Sequence, residues 1–319
     1  MTASVAIIGL GIMGSRMLKH MRLHEDFNPD YLWDPCPIAC ENAKKIDSDS
    51  QIMKSANHAI ENADLVYLAC PPSVREVYAL KAAEMGKPLF LEKPFGVDIK
   101  KSESLLKKLK SYDVPIAVNF TQAAGVALSD LLSSKKSGEM GEMVGIDIIV
   151  TYSSWPRLWQ KEADWLRFKK EGGMTREVIS HFLFFSERVL GPLKVVWAKT
   201  SYPGDILLCE TGVFAKLENA NGLPVNIFAN VGGQQPDRQE LTIKGSKKSR
   251  KVAEFYKDSV SIGNAFTPLR KEPDDPRAVS LKAQLDDLSL HIKNKPNRLA
   301  TMDEALRVQK LVEGILSKT

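Results

Sequence analysis

The sequence predicts an α/β protein, an N-terminal doubly wound parallel sheet followed by an α+β domain with a large, mainly antiparallel sheet. Three observations carry this. The first apolar run ends in a glycine-rich turn, short apolar runs then alternate with amphipathic stretches to about residue 120, and beyond residue 140 the runs are joined mostly by turns.

Residues 5–9, 31–33, 65–69, 89–92 and 116–119 read as buried parallel strands, because they are short, apolar and nearly uninterrupted. Between them lie helical stretches such as residues 74–85 and 100–111, the second with Leu105, Leu106 and Leu109 on one face. Residues 144–152, 194–201, 212–218, 225–231 and 239–244 read as strands of the second domain, with Asn219-Ala220-Asn221-Gly222 as a hairpin turn. A long helix is expected over residues 172–190 and a closing one over about 303–316. Thr301 should cap the latter, with Glu304 three residues on. The expected domains are residues 1–120 and 121–319.

At 319 residues, 44% apolar and 26% charged, the chain has the make-up of an ordinary globular protein. No stretch approaches the roughly 20 apolar residues of a membrane span. The first five residues run straight into a strand without a basic leader, so a cytoplasmic protein is expected. Cys36, Cys40, Cys70 and Cys209 lack zinc-site spacing and read as reduced thiols, with no metal expected. The net charge is +5, and the densest basic run, Lys247-Lys248-Ser249-Arg250-Lys251, follows a strand and a Gly-Ser turn. A solvated hairpin end accounts for it better than nucleic-acid binding.

Gly9-Leu10-Gly11-Ile12-Met13-Gly14 follows a strand and opens a helix, the context in which GxGxxG predicts dinucleotide binding on a Rossmann domain. Gly9 permits the tight turn, Gly11 lets the backbone approach a pyrophosphate, and Gly14 lets the helix pack on the strand. The helix N-terminus at Ile12 and Met13 offers unpaired N–H groups to the anion. Asp34 ends the second strand, where a carboxylate binds ribose hydroxyls and repels a 2′-phosphate. NAD is therefore the expected cofactor, with NADP open because Lys44 and Lys45 stand nearby.

Glu92-Lys93-Pro94 ends a buried parallel strand, and ligands of such sheets bind at the strands' carboxyl ends. With Cys70-Pro71-Pro72, Gly86-Lys87-Pro88, the Gly172-Gly173 pair and His181, the chain resembles the glucose–fructose oxidoreductase / inositol dehydrogenase / MocA family over nearly its whole length. The resemblance implies that Lys93 is the active-site lysine, with a cis bond to Pro94. It also implies that Cys70, Pro71 and Pro72 line the cofactor's path, and Glu92 and Lys93 are further candidate cofactor contacts.

The helix after Gly172-Gly173 carries Glu177 and His181 four residues apart, on one face, before a run of apolar residues. A buried histidine beside a carboxylate suits general acid–base work. The family carries an aspartate where Glu177 stands, one methylene shorter, and His181 resembles its proton-transferring histidine. Trp155, Trp165 and Arg167, in the tryptophan-rich stretch that also holds Arg157 and Trp159, read either as a sugar-binding wall or as a packed loop. Asn119, at the end of the fifth apolar run, completes the candidate substrate contacts.

The expected function is nicotinamide-dependent hydride transfer at the carbinol carbon of a sugar, cyclitol or related polyol. The alternatives are reduction of a C=N or C=C bond and a non-enzymatic dinucleotide-binding regulator. The family resemblance also implies a homo-dimer or homo-tetramer.

Overall fold

The computed structural model describes residues 2–318. Residues up to Phe120 form one compact unit together with Leu281–Leu306, and Thr121–Ser280 form the other together with the chain from Arg307 onward.

The first unit alternates strand and helix: β1 (Ala3–Ile8), α1 (Ile12–Arg22), β2 (Phe27–Trp33), α2 (Pro37–Ile46), β3 (Gln51–Ile52), α3 (Ala56–Asn62), β4 (Leu65–Leu68), α4 (Pro72–Glu84), β5 (Leu89–Glu92), α5 (Ile99–Leu109) and β6 (Ile116–Asn119). Its sheet has the order β3-β2-β1-β4-β5-β6 and is parallel throughout. This is the dinucleotide-binding order, with the reversal of direction between β1 and β4. β4, β5 and β6 are buried at every residue, as strands covered on both faces must be. Val5, Ile7, Tyr67 and Phe90 pack in one core cluster with Met17, Leu18 and Met21 of α1.

In the second unit α6 (Val126–Lys136) precedes β7 (Met143–Tyr152). Two short 3₁₀ turns and a π-helical turn, Thr175–Ile179, lead into α7 (Ser180–Leu190). Then come β8 (Leu193–Ser201), β9 (Gly212–Asn219), β10 (Pro224–Val231), β11 (Arg238–Gly245), β12 (Ser249–Ala253), β13 (Lys257–Ser261) and β14 (Thr267–Pro268), followed by α8 (Pro276–Ile292) and α9 (Met302–Leu316). The eight strands form one sheet, β14-β13-β12-β11-β7-β10-β9-β8, antiparallel except for the β7–β10 pair. Gly222 turns the β9–β10 hairpin at φ +77°.

One expectation needs correction. Leu281–Leu306 does not belong with the second domain: Leu281, Leu285 and Leu288 of α8, with Leu299, pack into the core of the first unit. Val118 also pairs with Ala300 as a β-bridge. The basic run at 247–251 proves to span a hairpin turn and most of β12, whose Arg250 is buried against Asp258. Thr301 and Glu304 form the expected reciprocal cap, Thr301 N donating to Glu304 Oε2 at 2.9 Å and Glu304 N to Thr301 Oγ1 at 3.2 Å. Among the described residues no helix is long and apolar enough to cross a membrane.

Candidate active site

In the first unit the glycine loop has the shape that an anion needs. Gly9 sits at φ +97°, and a Cβ there would lie 2.7 Å from Cys70 N. A Cβ on Gly14 would lie 1.9 Å from Gly9 O, so α1 packs against the loop only because that residue is glycine. At Gly11 a Cβ would meet nothing within 4 Å, which leaves the exposed side of the loop open to a ligand. α1 starts at Ile12 and Met13 with no side-chain cap and no acidic residue in its first turn, so its N–H groups face no competing carboxylate. These residues fit a dinucleotide's pyrophosphate.

Asp34 is half-buried, and its Oδ2 accepts from Leu10 N at 2.7 Å while Oδ1 accepts from Cys36 N at 2.8 Å. The carboxylate thus ties the end of β2 to the glycine loop. Lys44 donates to Ser48 O and, at 2.7 Å, to Ser50 O, and Lys45 donates to Asn42 Oδ1 at 3.1 Å. Lys44 thus ties the end of α2 to the segment that follows it, and Lys45 folds back on the Asn42 side chain.

Glu92 and Asn119 end adjacent strands in register. Glu92 Oε1 accepts from Asn119 Nδ2 at 2.6 Å and from the hydroxyl of fully buried Tyr67. Burial pushes the Glu92 carboxyl up, and those two hydrogen bonds, with the charges of Lys93 and Arg75, oppose it. Lys93 follows, half-buried, with a cis bond to Pro94.

Sequence reasoning missed Arg75. It reaches from the first turn of α4, 2% exposed, to three backbone carbonyls at the ends of β4 and β5. Nη1 binds Glu92 O and, at 2.5 Å, Pro94 O, and Nη2 binds Cys70 O at 2.8 Å. The two carbonyls on Nη1 flank Lys93, so one guanidinium fixes the backbone on both sides of the lysine. The signal was present in a buried stripe of Arg75, Ala79, Ala82 and Ala83 at helical spacing. Cys70 is buried, its thiol pushed up by burial, and Pro71 is exposed at the start of α4.

In the second unit the expected helix starts with a π-helical turn over Thr175–Ile179, a local widening frequent at functional sites. Gly173, at φ +104°, makes room for a buried carboxylate: a Cβ would lie 2.3 Å from Glu210 Oε2. Glu210 accepts from Thr175 N at 2.7 Å and Thr175 Oγ1 at 2.6 Å, anchoring the start of the helix, while burial pushes its carboxyl up. Arg176 is engaged by Glu313 of α9 through two 2.7 Å contacts and does not serve Glu177.

Glu177 is half-buried, and its Oε1 accepts from Gln160 Nε2 at 3.3 Å. His181 is 7% exposed and meets the Phe255 ring edge-to-face at 5.4 Å, while Phe182 stacks on the same ring at 5.0 Å. Phe255 and Glu254 form a turn with φ +68° and +50°, a left-handed pair that side-chain-bearing residues rarely adopt. No sequence cue marked it, since neither residue is glycine or asparagine.

The tryptophan-rich stretch divides. Trp155 lies 5.4 Å from the Tyr152 ring and donates Nε1 to Leu166 O at 3.0 Å. Trp165 is exposed, and Arg167 pairs with Asp164 at 3.3 Å and lies over the Phe168 ring. The guanidinium of Arg157 lies among the Tyr152, Trp155 and Trp159 rings and is linked through Gln160 to Glu177. Among the described residues no cluster of His, Cys, Asp and Glu could hold a metal ion.

Residues 3–120 match the GFO_IDH_MocA family, described as an oxidoreductase family with an NAD-binding Rossmann fold. An oxidoreductase of Formosa agariphila is 22% identical over 200 residues, 62% of this chain and 61% of that one. The chain thus spans less than two thirds of that curated relative's length. A solved oxidoreductase from Agrobacterium radiobacter, in complex with NAD+, L-tartaric acid and magnesium, superposes with a TM-score of 0.84. It is 14% identical and covers 98% of this chain and 95% of that one. The scyllo-inositol dehydrogenase of Lactobacillus casei with bound NAD(H) and scyllo-inositol gives 0.80 at 15% identity, covering 99% and 96%. At such identities the structures share the fold.

Proposed function

We propose that this chain, whose residues 3–120 match the Gfo/Idh/MocA family, is an oxidoreductase of that family and an NAD-dependent dehydrogenase acting on a carbinol carbon of a sugar, cyclitol or related polyhydroxylated small molecule. Within that reading the glycine loop and α1 bind the pyrophosphate, and Asp34 takes the adenosine ribose. NAD is preferred to NADP because Asp34 repels a 2′-phosphate and Lys44 and Lys45 are held by backbone and Asn42 oxygens. When bound, the nicotinamide supplies the hydride acceptor.

The chain's own residues handle the proton and the charge. His181 accepts the hydroxyl proton as the carbonyl forms, and Lys93 stabilises the negative charge that develops on the oxygen. Glu177 orients His181 or binds a neighbouring hydroxyl. Arg75, Tyr67 and Asn119 act through Lys93 and Glu92, as positioning residues. The observation that supports the reading most strongly is the Arg75 clamp, which spends a buried charge on the two carbonyls beside Lys93.

The exposed face of β8, β9 and β10 carries Trp197, Phe214 and Phe228, the two phenylalanines directly opposite one another. A second copy of this chain covers that face in the proposed dimer or tetramer. A light-scattering mass of one chain at micromolar concentration would overturn this. The setting proposed is the cytoplasm, where the four free cysteines remain reduced.

The dehydrogenase reading is tested by following nicotinamide absorbance with NAD or NADP and a panel of sugars, cyclitols and sugar acids. Reduction of NAD by at least one of them, faster than of NADP, is the expected result. Turnover confined to imines or conjugated alkenes would shift the reading to C=N or C=C reduction. Cofactor binding without any turnover would indicate a regulator.

A further inference from the structure

Arg157 is an unusual cation. Its guanidinium carbon lies 5.2 Å from the centre of the Tyr152 ring, 5.7 Å from Trp155 and 4.7 Å from Trp159, so three π faces surround it. Such contacts hold the side chain in one place and strip part of its water. They satisfy none of its five N–H donors. Only Nε is used, donating to Gln160 Oε1 at 2.9 Å. Among the described residues Arg157 has no carboxylate partner, whereas Arg22, Arg176, Arg250, Arg298 and Arg307 each pair with one.

A second observation points the same way. Tyr152 is fully buried, and its hydroxyl has no hydrogen-bond partner among the described residues. A buried hydroxyl left unpaired has given up its bonds to water without replacement. Arg157, Gln160 and Glu177 form a continuous hydrogen-bonded chain, Gln160 itself being 1% exposed. That chain ends one helical turn before His181.

We infer that Arg157, with the Tyr152 hydroxyl, is a binding site for a carboxylate on the substrate, so that the substrate class is a sugar acid or other polyhydroxylated monocarboxylate. The four terminal N–H groups of a fixed, planar guanidinium match the two oxygens of a carboxylate. Held there by its acid group, the substrate would be oriented by the Gln160–Glu177 chain. The inference rests on the dehydrogenase reading for its catalytic consequence but not for the binding itself.

The test uses the full-length protein saturated with NAD. D-gluconate and D-glucuronate are compared with their neutral counterparts D-sorbitol and D-glucose, in wild type, Arg157→Gln, Arg157→Met, Arg157→Lys and His181→Ala. Binding is read by tryptophan fluorescence, since Trp155 and Trp159 flank the guanidinium, and turnover by nicotinamide absorbance. The expected result is that the acids bind at least tenfold tighter than the neutral compounds. Arg157→Gln and Arg157→Met erase that preference by raising KM with little change in kcat, and Arg157→Lys restores part of it. His181→Ala should bind the acids normally and turn none over. Acids bound without turnover in wild type, and lost in Arg157→Gln, would leave the anion site standing while the dehydrogenase reading falls. Turnover of neutral polyols that needs His181 and is unchanged in Arg157→Gln would do the reverse. Absence of acid binding in wild type, or equal loss for acids and neutral compounds in the variants, would overturn the inference.

Discussion

Arg75→Met removes the guanidinium that bridges β4 and β5 while keeping most of the side chain's apolar length. The wild-type arginine makes charged hydrogen bonds to Cys70 O, Glu92 O and Pro94 O from a site that is 2% exposed. Each such bond contributes about 1.5–3 kcal/mol, and each carbonyl left buried and unpaired costs about 1–3 kcal/mol. Against this, methionine is relieved of burying a charge, a cost large enough that burial pushes the Arg75 pKa down. Because the carbonyls stay behind without a donor, the loss should resemble that of breaking a buried pair, about 3–5 kcal/mol. Allowing roughly 2–4 °C per kcal/mol, the first unit should melt on the order of 10 °C lower. Amide exchange locates the effect: peptides covering the ends of β4 and β5 should lose protection first. Arg75→Lys, whose ammonium cannot span three carbonyls, should recover only part. A loss below about 1 kcal/mol, or full recovery with lysine, would refute the clamp as the structure that holds Lys93.

Gly173→Ala should cost about 3 kcal/mol, from left-handed strain at φ +104° and from overlap with Glu210, and should loosen the start of the helix that carries His181. Thermal unfolding within 2 °C of wild type would contradict it. Gly14→Ala, with its Cβ 1.9 Å from Gly9 O, should abolish NAD binding measured by calorimetry, whereas Gly11→Ala, with open space around it, should fold normally and weaken binding only through the ligand. Asp64 is held below the usual carboxylate range by hydrogen bonds from Ser4 N and Ser4 Oγ, at 2.9 and 2.8 Å. A depressed carboxyl contributes stability above its unfolded value of about 3.9 and loses it as pH falls through the folded one. The stability gap between wild type and Asp64→Asn should therefore close as pH drops below about 4. A gap constant down to pH 2 would contradict that assignment.

How much of this was legible in the sequence depends on the range of the interactions. β4, β5 and β6 are continuous apolar runs because both faces are covered, and they appear where the sequence places them. The two-residue edge strand β3 has no such pattern. β7 to β11 show in the sequence, whereas β12 and β13 are short and polar. Arg250 of β12 is buried through its pair with Asp258 of β13, so in the sequence β12 reads as a solvated hairpin end. α8 was absent from the reading because its leucines serve the core of the first unit, remote in sequence. At the candidate site the glycine loop, Glu92, Lys93, Glu177 and His181 carry local signatures. Arg75, Glu210 and Phe255 do not, because the Glu92 and Pro94 carbonyls that Arg75 binds and the Thr175 groups that Glu210 binds lie 17 or more residues away, and the backbone geometry at Phe255 has no glycine to announce it. Arg157 was visible as one arginine of a tryptophan-rich stretch, and the ring geometry separates it from Arg167.

The most direct test of the central claim separates binding from chemistry at His181. With a substrate that reduces NAD in wild type, NAD affinity and turnover are measured for His181→Ala. A lost general base lowers turnover by about 10²–10⁴-fold, and the account predicts that loss with NAD affinity unchanged. Turnover equal to wild type at unchanged NAD affinity would contradict it, and the proton would then have another acceptor.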